Sequence, residues 1–370
     1  MLSRNNESNK SASLQALRAL AFLGIFFSHA NFFINWSGLG VSIFFVLSGF
    51  LLMHRYGEKE LFPSIKRNLT FSVNRIRKLY PLHIITMLCT VVLFIIDIAN
   101  RGATIRSVVG LLGKIAVNIT LTQTWVPHTS INVSLNGVAW YLSVLLFLYF
   151  MFPYISRFIQ SKKKDSLCLI CIILLALQIV LCIPFLLVFR VDSPVYVWFM
   201  YCFPVFRLVD FFAGCVSYKF YEDFSRHEIG AVKATIAEIT ATIVTIFICL
   251  WENQEHNNIL LQAIDNWTTL YIPLAVIWVI LFAVNKGLIS KILTNKLFVF
   301  IGNISPYLFL IHYVITQYVS YFVPNEKEID GIERALLVLG ELLISILLSI
   351  AYQSIHKKYI APKLKQRQHS

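Results

Sequence analysis

The chain has 370 residues, of which 57% are hydrophobic and 14% charged, and its mean hydropathy is +0.70. That balance excludes an ordinary soluble domain and indicates a polytopic membrane protein. The formal charge of +13 does not point to nucleic acid, because the basic residues stand in short clusters between apolar runs, where the cytoplasmic preference of Lys and Arg accounts for them.

A membrane-spanning helix needs about 20 mostly apolar residues. The first 13 residues are polar and read as a cytoplasmic N-terminal segment, not a cleaved leader, since the apolar run behind them holds Arg18 and lacks a clear small-residue cleavage site. Ten spans are then expected in chain order: 14–33, 39–53, 80–98, 138–155, 167–189, 196–218, 234–251, 269–284, 297–320 and 335–353. Segment 107–124 is interrupted by Lys114, Asn118 and Gln123 and is expected to lie as a re-entrant or surface helix on the outer side. With both termini inside, 24 of the 32 Lys and Arg residues fall in inner segments and 6 in outer ones, while Arg18 and Arg207 lie within spans. Trp36, Trp125, Trp140, Trp198, Trp251 and Trp267 fall at or near the expected outer ends, as indole's preference for the interface requires, and Trp278 is mid-span.

The expected fold is thus an all-α integral membrane bundle of about ten transmembrane helices with both termini cytoplasmic. Residues 14–353 form the membrane domain, and 354–370 a basic cytoplasmic tail. All seven cysteines lie in apolar segments and read as small hydrophobes. The Cys168/Cys171 pair has no second ligand pair at metal-binding spacing, so no metal site is expected.

Ionisable groups within spans are rare and functional by default. In "LRALAFLGIFFSHANFFINW", residues 17–36, Arg18 and His29 are eleven apart. On a helix that spacing leaves them about 20° apart around the axis and roughly 16 Å apart along it, on one face. A guanidinium at the inner mouth suits a phosphate-bearing cytoplasmic ligand, and an imidazole deeper in the fold suits proton transfer; the alternatives are a snorkelling arginine and an interfacial histidine. Arg75 and Lys78, in the basic loop "RNLTFSVNRIRKLYP", read as topology determinants that contact anionic lipid or as a second grip on the same ligand. Arg207 and Asp210 are three apart and can pair within the membrane. His312 follows Ser305-Pro306, expected to break the span beside a cavity or a packed surface. His83 and Glu238 complete the set.

Five segments, "LRALAFLGIFFSHA", "GVSIFFVLSGFLL", "NRIRKLYPL", "AWYLSVLLFLYFMFP" and "IGNISPYLFLIHY", occur in the order and approximate spacing of the acyltransferase-3 family, which the chain resembles over nearly its whole length. These are integral-membrane O-acyltransferases of surface polysaccharides. The resemblance implies that Arg18 and His29 form the family's arginine, ten residues, histidine motif, with roles in acyl-donor use and catalysis. It places the family's second basic motif on Arg75 and Lys78 before Pro81, with lysine where the family has a second arginine. Where many relatives carry a glutamate, this chain has Leu145, so no carboxylate can be borrowed there. The implied reaction takes an acetyl group from cytoplasmic acetyl-coenzyme A, held by Arg18, Arg75 and Lys78, to a hydroxyl of a polysaccharide or lipid-linked glycan. His29 acts as base or as transient acyl carrier. Asn136 and Trp140 are candidates for acceptor contacts or interface anchoring, as an amide and an aromatic face suit sugars. Membrane lipids are the remaining partner, and the location is the inner or plasma membrane. The rival reading is a multi-span carrier of a lipid-linked sugar or anion, lined by Arg18, His29, Arg207 and Asp210 and making no bond. A catalytically inactive member acting in assembly is a third.

Overall fold

A computed structural model of the chain describes residues 2–32, 36–59, 61, 63–189, 191, 193–252, 254, 258–266, 268–323, 329–360 and 362, with residues 2–10 described as backbone only. Trp267 and most of the 354–370 tail lie outside the described residues. Among the described residues there is no strand. The α-helices are α1 (Leu2–His29), α2 (Ser37–Tyr56), α3 (Ile65–Ile76), α4 (Tyr80–Arg101), α5 (Ile105–Ile119), α6 (Thr129–Asn132), α7 (Trp140–Gln160), α8 (Lys164–Val188), α9 (Pro194–Val197), α10 (Leu208–Arg226), α11 (Ala231–Glu252), α12 (Ile259–Ile264), α13 (Tyr271–Val284), α14 (Leu288–Leu293), α15 (Lys296–Phe322) and α16 (Gly331–Ile355).

Among the described residues eight helices are long and apolar enough to cross a membrane: α1 from Ser11, α2, α4, α7, α8, α11, α15 and α16. The other two expected spans take different forms. The run 196–218 is not one helix: a π-helical turn, Trp198–Cys202, ends at Phe203, which is extended (φ −67°, ψ 122°) as a residue before proline tends to be, and α10 begins only after Pro204. The run 269–284 gives the 14-residue α13, about 21 Å of helix against a hydrocarbon layer of about 30 Å. Segment 107–124 becomes the 15-residue α5, which folds back along α4. Leu111 and Ile115 pack with Met87, Val91 and Phe94, and the Asn118 carbonyl lies 3.0 Å from His83 Nε2, so α5 descends beside α4 almost to its first turn.

The interior is formed by α1, α2, α7, α10, α13 and α15, whereas α8, α11 and α16 leave large apolar side chains such as Ile172, Phe247 and Leu347 exposed, as lipid-facing helices do. Hydrocarbon provides little drive for helix association, so close approach through small residues carries the packing. A Cβ on Gly214 would lie 2.0 Å from the Val46 carbonyl oxygen, and one on Gly49 2.2 Å from that of Phe211, so α2 and α10 cross through two reciprocal glycines. Gly302 does the same for α15 against α1, where a Cβ would lie 1.9 Å from the Gln15 oxygen.

These contacts are backbone to backbone, so the helices must separate to admit a methyl group. Gly214→Ala is expected to destabilise the protein by about 1–3 kcal/mol. Gly110→Ala, where a Cβ meets nothing within 4 Å, should not destabilise and should gain up to about 1 kcal/mol from the lower backbone entropy of alanine within α5. Thermal melting of both purified proteins in the same detergent checks the contrast.

Candidate functional site

The face of α1 that carries Arg18 and His29 packs on α15. Phe22 and Phe26, one and two turns above Arg18, set their rings edge-on to His312, with centroids 5.4 and 6.1 Å away. At the end of the same stripe, His29 Nδ1 lies 3.0 Å from His312 Nε2. His29 is partly buried and His312 fully so. The Tyr313 ring meets His29 edge-on at 5.0 Å. On the far side of the His312 ring, Nδ1 lies 3.0 Å from the Leu308 carbonyl oxygen, one turn back along α15.

α15 runs unbroken through Pro306 instead of breaking there as the sequence suggested. Proline cannot donate to the carbonyl four residues back, which is Gly302, and the helix survives because Ser305 Oγ donates to that same oxygen at 2.9 Å. Ser305 is therefore committed to α15, and the continuous helix fixes the height of His312. Asn136 is buried and donates through Nδ2 to the Leu310 carbonyl at 2.9 Å, which ties the segment before α7 to α15 two residues from His312.

The other end of the α1 stripe is basic. Arg18 lies within electrostatic reach of the Tyr141 and Tyr149 hydroxyls, with Ser48 beside both phenols, and its Nη1 is 3.4 Å from Gln15 Oε1. Arg75 also acts on Tyr149, and its guanidinium stacks over Tyr56 and Phe71 at 4.9 and 5.3 Å; its Nη2 is buried without a hydrogen-bond partner. Lys78 reaches over Tyr307. Partial burial, then the charges of Arg18 and Lys357, hold its ammonium below the usual lysine pKa. The fold thus brings Arg18, Arg75 and Lys78 to one place. Among the described residues no carboxylate pairs with any of them, which is the arrangement an anionic ligand needs.

Arg207 and Asp210 form a separate, fully buried pair with Nη1 3.6 Å from Oδ1. Arg207 Nε donates to the Tyr201 carbonyl at 2.8 Å, next to the break at Pro204, and its guanidinium is boxed by Phe45, Trp140 and Tyr201. Trp140 is buried within that box, and its ring neighbours do not include the histidine pair. Glu238 accepts from the backbone of Ile289 and Ser290 and so caps α14. Leu145 is buried in the core. A cavity of about 650 Å³, walled by apolar residues such as Leu20, Phe27, Ile246 and Trp278, lies against the side of α1 away from His29. No three His, Cys, Asp or Glu side chains converge among the described residues.

Several polar neighbours of the site were passed over in reading the sequence. Arg334 on α16 donates to the Ala30 carbonyl at the end of α1. Glu341 accepts from Thr316 at 2.9 Å, and Thr316 is 3.2 Å from the His312 carbonyl. Both charged residues are buried. A charge inside or beside an apolar run is the same signal that singled out His29, and Arg334 and Glu341 carry it as plainly.

The family model described as "Acyltransferase domain" matches residues 11–353. Among curated proteins the chain is similar to "Acyltransferase MdmB" of Streptomyces mycarofaciens, 30% identical over 164 residues, or 40% of each chain. The chain thus spans about two fifths of the length of the curated relative it matches. No solved structure matches it.

Removing one partner of a buried ion pair strands the other charge, whereas replacing both with apolar residues does not. Asp210→Ala is expected to cost about 3–5 kcal/mol, and Arg207→Met with Asp210→Leu together to recover most of that loss. A double-mutant cycle on detergent melting curves reads the coupling.

Proposed function

The chain belongs to the acyltransferase family whose domain covers nearly its whole length, and from that premise we propose that it is a multi-pass O-acyltransferase of the inner or plasma membrane. It moves an acetyl group from cytoplasmic acetyl-coenzyme A to a hydroxyl of a cell-surface or lipid-linked polysaccharide. Both termini face the cytoplasm, in line with the distribution of Lys and Arg.

The observation that carries this reading is one face of α1 with a basic cluster gathered at one end, which no carboxylate among the described residues pairs, and a histidine pair at the other. Eleven residues of α1 separate the two ends by roughly 16 Å. Arg18, Arg75 and Lys78 hold the phosphates of the donor, and its pantetheine arm reaches along α1 to place the thioester at His29. There His29 deprotonates the acceptor hydroxyl or carries the acetyl group transiently. Asn136 sits beside this end of the site and contributes to acceptor binding through its anchored position on α15. Trp140 supports the bundle from the Arg207 box.

Acetyl transfer from radiolabelled acetyl-coenzyme A to glycan in membranes tests this directly. His29→Ala at matched expression should lower labelling by about 10²-fold or more; equal labelling in both removes His29 from the mechanism, and none in the wild type returns weight to a carrier. The donor cluster has its own signature. Arg75→Ala should raise the donor KM by about tenfold with kcat little changed. Because the Lys78 pKa is lowered, its positive charge is lost at a lower pH than a free lysine's as pH rises. The donor KM should therefore climb at alkaline pH in the wild type and stay flat in Lys78→Arg, whose charge persists.

A further inference from the structure

We propose that His312 is a positioning residue for the base: it fixes His29 as the tautomer protonated on Nδ1, so that His29 Nε2 presents its lone pair to the acceptor hydroxyl. The inference rests on the acyltransferase reading above and assigns to an imidazole the orienting task that a carboxylate performs in Ser-His-Asp sites.

The assignment follows from which atoms can donate. The Leu308 carbonyl can only accept, so the bond at 3.0 Å puts a proton on His312 Nδ1. A neutral imidazole carries one N–H, which leaves His312 Nε2 an acceptor. The atom facing it at 3.0 Å is His29 Nδ1, which must therefore donate. The single proton of neutral His29 is thereby spent, and Nε2 is left bare. Among the described residues His29 has no other hydrogen bond.

Ring geometry supports the same bond. The two imidazole planes are 8° apart and their centres 5.3 Å apart, 2.3 Å more than the nitrogen separation. That surplus matches the two centre-to-nitrogen distances laid end to end, so the rings meet edge to edge in a common plane and the N–H points along the His312 lone pair. Phe22, Phe26 and Phe309 enclose the His312 ring and hold its tilt.

In the reaction, the acceptor oxygen bonds to the thioester carbonyl carbon as its proton passes to His29 Nε2. The resulting imidazolium keeps its Nδ1–H on His312 Nε2, which stabilises it. When the tetrahedral intermediate collapses, the C–S bond breaks with its electron pair on sulfur, and the proton on Nε2 passes to the thiolate, giving ester and thiol.

Other groups bear on His29 as well. From α15 come His312 and Tyr313; from α16 Arg334, a fixed positive charge on the Ala30 carbonyl; and from α1 itself the distant Arg18. Glu341 connects to the backbone of His312 through Thr316. Among the hydrogen bonds of the described residues, His312 is the group that meets the imidazolium directly.

The test is acetyl transfer from acetyl-coenzyme A across pH in membranes carrying the full chain as wild type, His29→Ala, His312→Ala, His312→Gln or His312→Glu, with melting temperatures of the purified proteins alongside. His312→Ala should lower kcat by about 10²-fold or more with the donor KM within about twofold. His312→Gln, whose amide oxygen can accept from Nδ1–H, should return to within about tenfold of wild type. His312→Glu should move the acid limb of the kcat profile to higher pH, since a carboxylate favours the imidazolium. Wild-type kcat in His312→Ala overturns the proposal. So does an equal loss in the Ala and Gln variants at wild-type melting temperature with no movement of the acid limb. Transfer that survives in His29→Ala overturns the acyltransferase mechanism itself, and transfer lost in His29→Ala but kept in His312→Ala overturns the positioning role alone.

Discussion

The contact on which the rest of the site depends is the close crossing of α15 over α1 at Gly302. With no side chain there, the α15 backbone sits against the Gln15 carbonyl, closer than any other residue permits. Both helices then run upward together, and the pairing of His29 with His312 follows about three turns on along α15 and about four along α1. Were the helices set apart by even a methyl group, two imidazoles on opposite backbones would fall out of hydrogen-bonding range, since that range spans only a few tenths of an ångström.

The same crossing sets the spacing of the basic and imidazole ends that the proposed function joins in one site. Both reside on a single α1 face, so their separation is fixed by helical rise and not by a loop. What the bundle adds is partners: α3 and the turn after it supply Arg75 and Lys78, α7 supplies Tyr141 and Tyr149, and α15 supplies His312. Arg207 and Asp210 hold a different joint, the one left where Pro204 interrupts the chain before α10.

Much of this was legible in the sequence, because it depends on period. Hydropathy located eight long helices, and the eleven-residue spacing put Arg18 and His29 on one face. Pairings between distant segments were not legible. His29 and His312 are 283 positions apart, and no local pattern says that one will meet the other. Prolines misled in both directions. Pro306 stands inside an unbroken helix because Ser305 answers the orphaned carbonyl, whereas Pro204, within a run drawn as one span, ends a helix outright. Trp140 sits where an interfacial anchor was expected, yet its indole faces a buried guanidinium; the helix end was right, but rotation about the helix axis decides what a ring touches.

The two prolines also show how the fold keeps irregular backbone tolerable at membrane depth. A carbonyl without its helical donor has no water to turn to, so a side chain must supply the bond or the helix gives way. Ser305 supplies it for Gly302, and Arg207 Nε supplies it for Tyr201. The first repair is neutral and leaves α15 continuous. The second brings a charge into the bundle and therefore requires Asp210 and an aromatic box to offset it. That difference separates the fully buried pair from the partly exposed basic groups and His29. Arg207 is paired with Asp210 and bound through Nε to the backbone. Arg18, Arg75 and Lys78 have no carboxylate paired to them among the described residues, and His29 is tied through one nitrogen, which are the features the proposed donor and base roles draw on.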